Sequence, residues 1–362
     1  MSDVFTTRLW HFNRTNRFLL FAVVLCMGFS FQYAKVYGQD IHFTQFFTNP
    51  LLLNPAQTGN YAGNYRFGFN AKMQWPWAIS QRVYNYHTEA PYADISFLED
   101  KIKRGWMGLG FVFLNDEAGD GALTYRRFGL SYAYHQSFDK EDRYVLSAGF
   151  MFNYILRSVD FSKFYFNNQW VDDDGFNLSI DPTEPYTREA FGMIDLGTGV
   201  SFGAQVHKQT KLNFGVSVLH LNRPKHSFYN STDRLGIRYC AQGGIVFQVN
   251  EILKLQGDLF FSYQTKATET MLGIMAGYSP GRFKNNKPLH TIYFGSYYRI
   301  KDALSPIVGY QFGSARILLN YDIVISKLTP QSRANGGPEV SFVYVGSWRK
   351  NYNGRKVFCP RF

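Results

Sequence analysis

With 362 residues the chain has room for two or three ordinary domains, but 18% aromatic residues, 32 glycines and short, scattered apolar runs describe one large β unit. The 38 Lys and Arg outnumber the 27 Asp and Glu, giving a formal charge of +11, which in an exported chain points to anionic lipid or an acidic partner and away from nucleic acid. Three cysteines without a CxxC or a Cys/His ligand spacing argue against a disulfide framework and against zinc.

At the start, Arg8, Arg14 and Arg17 lead into the apolar run from Phe18 to Phe31. A positive region followed by a short apolar one is the pattern of a secretory signal peptide, here residues 1–38, with Val36 and Gly38 setting cleavage before Gln39 and Ala34 offering a second site. Residues 39–60 then place two Asn-Pro turn formers and a glycine ahead of the first strand. Phe46, Phe47, Leu51, Leu52 and Leu53 in this segment need burial. Together with Asn54 and Pro55, they are expected to fold into a barrel lumen or against its periplasmic rim.

From Tyr65 to Trp75 every odd position is apolar and every even one polar or glycine, which describes a strand with one greasy and one wet face. Ten or eleven residues cross a bilayer obliquely, and aromatic ends with a polar inner face suit an outer-membrane barrel. The same period predicts strands over 65–75, 84–97, 105–114, 123–135, 144–156, 191–206, 211–219, 237–249, 253–263, 270–278, 289–299, 303–312, 314–323 and 338–346. The reading is therefore an all-β, transmembrane outer-membrane barrel of about 14 antiparallel strands over residues 61–346. A soluble β-sandwich also alternates, but it would not carry Phe, Tyr and Leu along the exposed side of runs this long.

An even count puts both termini in the periplasm. The long connections, among them 115–122, 157–190, 220–236, 264–269 and 324–337, then fall outside, as they do in bacterial barrels. The turn Ser279–Pro288, with Lys287, is a basic exception on the periplasmic side. Small inward residues such as Gly68, Gly110, Gly129, Gly149 and Gly203 leave a void for the N-terminal segment to fill. Residues 347–362 form a basic periplasmic tail in which Arg349, Lys350, Arg355, Lys356 and Arg361 would dock a partner.

Candidate chemistry is sparse. Asn115–Gly121 and Asp172–Gly175 cluster carboxylates beside glycine, yet neither completes a calcium-loop pattern, and solvated turns are the simpler reading. No G-x-S-x-G occurs, and His135 and His220 read as rim or lumen polar groups. The chain is thus expected to be no enzyme and to need no cofactor or metal.

Several stretches resemble the PorP/SprF family of type IX secretion system membrane proteins: QDIHFTQFFTNPLLLNPAQTG from Gln39, GLGFVFLNDEAGDGALTYRRFGLSYAYH over 108–135, the segment His220–Phe228, and the closing Cys359–Phe362. The likeness runs from about residue 39 to the end. It implies a non-enzymatic barrel that binds an exported adhesin through the adhesin's C-terminal domain and works with secretion subunits in the periplasm and outer membrane. On that reading Trp75, Trp77, Trp170, Tyr186, Pro224 and Phe228 on external loops would grip the exported partner. Outer-membrane lipid would surround the wall, and nucleic acid has no part. The competing expectation is a channel for small or hydrophobic solutes, in the manner of porins or fatty-acid transporters.

Overall fold

A computed structural model describes residues 40–348, apart from 77–85, 100, 120, 173, 184–187, 230, 282, 285 and 286. Residues 1–39, which include the expected signal peptide, residues 349–362, which include the cations of the expected tail, and Trp77 and Tyr186 lie outside the described residues. Fourteen strands close into one antiparallel barrel. They are β1 Tyr65–Gln74, β2 Tyr86–Phe97, β3 Gly105–Ala118, β4 Leu123–Ser137, β5 Tyr144–Ser158, β6 Ala190–His207 and β7 Thr210–Leu219. The second half is β8 Arg238–Gln248, β9 Leu253–Gln264, β10 Ala267–Tyr278, β11 His290–Arg299, β12 Ala303–Phe312, β13 Ala315–Val324 and β14 Asn335–Gly346. Each strand pairs with its sequence neighbours, and β1 pairs with β14 to close the ring.

The period-two pattern sorts the wall as it should. On β1, Phe67 and Met73 are exposed on the outer face while Arg66, Asn70 and Lys72 are buried inside. Phe128, Leu130, Tyr132 and Tyr134 of β4 and Phe150, Phe152 and Tyr154 of β5 continue the apolar outer belt. An outward apolar face with a polar inner one is stable only with lipid around the wall.

Four strand ends differ from expectation. β3 runs on to Ala118 and β10 begins at Ala267, so the expected connections 115–122 and 264–269 shrink to tight turns. Asn115 and Asp116 therefore sit in a ladder opposite Arg126 and Tyr125 rather than in a solvated loop. Past the bilayer the outer face no longer has to be apolar, so the greasy period stops before the hydrogen-bonded ladder does. For the same reason β5 extends to Ser158 and β14 starts at Asn335. The weakest sequence signals, β2 and β12, each contain a proline in the wall. Opposite Pro91 the β2–β3 register passes from Glu89↔Asn115 to Tyr92↔Val112, and opposite Pro306 the β12–β13 register passes from Leu304↔Ile323 to Ile307↔Asn320. A missing proline N–H interrupts the ladder there.

Long connections collect at one end, here the long-loop rim: β5–β6, β7–β8 and β13–β14. The opposite, short-turn rim carries β2–β3, β4–β5, β6–β7 and β8–β9, with the longer β10–β11 turn as the exception. Near the short-turn rim, Arg66 makes two contacts of 2.7 and 2.8 Å to Asp94, both side chains fully inside the wall. Removing one partner of such a pair strands the other charge. Arg66→Met should therefore lower unfolding free energy by about 3–5 kcal/mol, read as an earlier urea midpoint of the detergent-solubilised barrel. A midpoint equal to that of the parent would refute this role for the pair.

Candidate functional site

The feature around which the interior is organised is residues 40–61. Three short 3-10 turns, Phe46–Thr48, Pro50–Leu52 and Pro55–Gln57, carry this segment through the lumen. The two Asn-Pro pairs set the breaks between them: proline occupies the first position of the second and third turns, and Asn54 caps the third by accepting from Ala56 N–H at 2.9 Å. Phe46, Phe47, Leu51, Leu52, Leu53, Asn54 and Pro55 are all buried.

The segment enters near the long-loop rim at Asp40 and leaves at the short-turn rim, where Asn64 N–H donates to Gly346 O at 2.8 Å. Its apolar side chains divide between two clusters. Phe46, Phe47 and Leu53 pack on Phe260, Met271, Tyr297, Ile307 and Leu318. Leu51 and Leu52 pack on Tyr92, Val112, Met151 and Ile155. The Phe47 and Tyr297 rings stack at 5.3 Å.

A segment without a ladder needs other partners for its backbone, and the wall supplies them. Glu339 accepts the N–H groups of Thr44 and Gln45 at 2.8 and 2.7 Å, and Asp94 accepts Gly59 N–H at 2.7 Å. Tyr92 Oη donates to Thr48 O at 2.6 Å, and Ser217 Oγ to Leu53 O at 2.5 Å. Trp106 Nε1 donates to Gly59 O at 2.9 Å and His135 Nε2 to Thr58 O at 2.7 Å, which fixes the His135 tautomer so that Nδ1 accepts from Ser147. In return, Asn54 Nδ2 donates to Val200 O and Val216 O, and Asn49 Nδ2 to Ala90 O beside the Pro91 interruption.

Two wall glycines are places where the backbones touch. A Cβ on Gly108 would lie 2.0 Å from Thr58 O, and one on Gly149 would lie 2.4 Å from Ala56 N. Of the inward glycines expected to leave a void, Gly149 and Gly110 face the segment, whereas a Cβ on Gly68 would meet Tyr92 and one on Gly129 would meet Asn153, both of the wall.

At the long-loop rim the upper part of the segment is held by charge. Asp322 accepts from Lys72 at 3.1 Å, Arg299 at 2.5 Å, Ser305 at 2.7 Å and Thr44 Oγ1 at 2.9 Å. Arg299 Nη1 donates to His42 Nε2 at 2.5 Å, and Ser341 donates to Gln45 Oε1. His220 lies between two carboxylates, with Nε2 at 2.5 Å from Asp40 and Nδ1 at 2.8 Å from Asp195. Burial opposes a charge on His220, but these carboxylates outweigh it and push its pKa up to about 9. On the same connection, burial and the nearby Arg157 bring His226 down to about 4, so it stays neutral and accepts from Arg157 Nη1 at 2.5 Å.

The expected partner-facing residues separate into two groups. Trp170 is 53% exposed and joins Tyr165 (64%) and Phe176 (46%) in a ring cluster on the β5–β6 connection, with 5.0 Å between the centroids of each contacting pair. A two-residue ladder, Trp170–Val171 with Gly175–Phe176, presents them. Pro224, by contrast, is buried, and Phe228 packs on Phe191 at 4.9 Å and Phe161 at 6.3 Å, which corrects their expected place on the surface. They fasten the β7–β8 connection over the lumen, helped by Arg188 Nη2 donating to Ser227 O at 2.7 Å. Trp75 follows β1 in a left-handed conformation, φ 56°, with its ring edge-on to Tyr86 at 5.4 Å.

The plug, its glycine-lined wall and the inward carboxylates coincide with the stretches that the family model matches, residues 35–344. The chain belongs to the type IX secretion system membrane protein PorP/SprF family. Such a barrel resides in the outer membrane, and its family function is in protein secretion. No curated protein matches the chain. Similar solved structures include the Ralstonia pickettii toluene transporter TbuX, at 12% identity and TM-score 0.45 over 82% of this chain and 92% of that one. The Pseudomonas putida toluene transporter TodX is similar at 10% identity and TM-score 0.46, over 86% and 100%. A Pseudomonas aeruginosa FadL homologue follows at 10% and 0.44, over 80% and 92%.

The His220 clamp has a pH signature. Its pKa is higher in the fold than the free-chain value near 6.5. Its stabilisation is therefore complete below about pH 6.5 and lost as pH rises through about 9. The melting temperature should fall more steeply between neutral and alkaline pH in the parent than in His220→Gln. Parallel pH profiles would contradict the clamp.

Proposed function

We propose that this PorP/SprF protein is an anchoring and docking barrel, closed along its own axis, that holds an exported surface adhesin by its C-terminal domain at the long-loop rim and meets periplasmic secretion machinery at the short-turn rim. The observation that carries this reading is the filled lumen: residues 40–61 cross it and are hydrogen-bonded to the wall along their length. An anchor needs only its rims, whereas a solute channel would have to expel the plug.

Bacterial barrels place their longer loops outside, so the folded ring cluster of Tyr165, Trp170 and Phe176 faces the surface to which the adhesin is delivered. Aromatic side chains held in an exposed cluster bury a large area on docking at little entropic cost. β14 ends at the short-turn rim, and the basic residues that follow it in the sequence, Arg349, Lys350, Arg355, Lys356 and Arg361, would dock machinery in the periplasm. A channel for small or hydrophobic solutes is the second reading, and it depends on the plug moving as a unit.

The test is to purify the tagged protein from outer membranes in mild detergent and identify its companions by mass spectrometry. A large exported adhesin is expected in the parent complex. With Trp170→Ser and Phe176→Ser together it should be depleted about tenfold or more, at unchanged barrel melting temperature. Full retention of the adhesin by this double variant would remove the ring cluster from the interface, and recovery of the barrel alone would favour the channel.

A further inference from the structure

Below Leu53 the plug keeps to one side of the lumen. Asn54 bonds to β6 and β7, Thr58 to Ser131 of β4, and Gly59 to Asp94 of β2 and Trp106 of β3. Across from it, the inner faces of β9 to β13 end at the short-turn rim in a sector built around Tyr293. Glycines on the flanking strands make room for its ring: Gly277 of β10 and Gly309 of β12 are its register partners. A Cβ on Gly277 would lie 2.8 Å from Lys254 Cε and 3.0 Å from the Tyr293 ring, so the missing side chain is what lets the two meet.

Lys254 Nζ, from β9, stands 4.9 Å from the ring centroid, and the Arg316 guanidinium, from β13 on the other side, 4.8 Å. Gln311 fixes the arrangement. Its Oε1 accepts from Tyr293 Oη at 2.6 Å and from Arg316 Nε at 3.3 Å, while its Nε2 donates to Gly313 O at 2.9 Å. Arg316 is 5% exposed, whereas Lys254 and Gln311 are half-buried.

The charges of this sector are one-sided when all of them are counted. On β9 to β13 at this end of the lumen, and on the turns β8–β9, β10–β11 and β12–β13, the sequence places Lys254, Arg282, Lys284, Lys287 and Arg316 against Glu251 and Asp258. Asp258 accepts from Gln256 at 2.7 Å and Tyr297 at 2.8 Å, next to the apolar cluster of Phe46, Phe47 and Phe260 that closes the lumen above. An anion is thus attracted to the sector and stopped there. Five neighbouring strands span about 19 Å along the ring, the length of about six extended residues.

We propose that this sector binds an acidic, extended peptide segment of a partner on the short-turn side, its carboxylates drawn to Lys254 and Arg316. Cations spread over that width match carboxylates spaced along a chain better than one compact anion. The site rests on the reading that secretion machinery meets the barrel at this rim, and it names the chemistry that machinery would present.

The full chain in neutral detergent is titrated into a rhodamine-labelled peptide of alternating Asp and Ser, with the Asn and Ser peptide as control, and binding is read by anisotropy. The parent should bind the acidic peptide only, and raising salt from about 0.05 to about 0.5 M should release it. Lys254→Gln and Arg316→Gln should each weaken binding about two- to fivefold, and Lys301→Gln on the long-loop rim should not. Should Arg316→Gln lower the melting temperature, Lys254→Gln at its half-buried position carries the comparison. Full affinity in Lys254→Gln would overturn the proposal, as would displacement of the peptide by inorganic phosphate at equal charge concentration. In complexes purified from outer membranes, the double variant should lose periplasmic companions and keep the adhesin. Companions retained in full by the double variant would overturn the proposal and leave the docking reading standing. A parent that binds the peptide but brings no periplasmic companion would support the site and remove that reading.

Discussion

Closing fourteen strands into a ring creates a space that side chains cannot fill from the wall alone. At ordinary strand spacing and tilt the backbone ring is about 28 Å across, and opposed side chains leave a gap of roughly 15 Å. The chain fills that gap with its own residues 40–61, and the remaining interior features follow from doing so. A plug without a ladder exposes backbone N–H and C=O groups, so the wall must carry Glu339, Asp94, Tyr92, Ser217 and Trp106 at matching heights. Those buried carboxylates in turn require Arg66, Lys72 and Arg299 inside the wall, the first beside Asp94 and the other two around Asp322.

The barrel could be read from the sequence because its period is local. Phe67, Phe69 and Met73 against Arg66, Asn70 and Lys72 declare two faces without reference to any other strand, and the same test repeated along the chain reaches the observed fourteen. It failed at strand ends such as Asn115–Ala118, where the ladder outlasts the bilayer and the outer face turns polar. The apolar N-terminal segment was also visible as a stretch needing burial. Its partners were not: Glu339 lies 294 residues from Gln45, and Asp322 lies 278 from Thr44. A polar residue on the wet face of a strand announces its direction, while its partner depends on register across the whole ring. His135 and His220 were recognisable as inward polar groups, but their hold on Thr58 and Asp40 is a product of closure. Pro224 and Phe228 pack inward because the β7–β8 connection folds back over the lumen, which the length of a loop does not reveal.

The two rims are chemically distinct. The long-loop rim is fastened from within by His220, Arg157 with His226, and Arg188 with Ser227, and it presents one rigid aromatic cluster outward. The short-turn rim is built of tight turns, and beneath them the buried Arg66–Asp94 pair and the Trp106 indole hold the end of the plug. A closed cylinder with two differently equipped ends suits a protein that holds partners on either side of a membrane, and the family's place in type IX secretion supplies the setting for such a role.

The claim on which this account rests is that the plug closes the lumen, and planar-bilayer conductance addresses it directly. The intact barrel should be silent, and the same barrel lacking residues 39–60 should open steps of the size expected for a wide aqueous pore. Steady conductance from the intact protein, equal to that of the shortened one, would contradict the account and return the channel reading to first place.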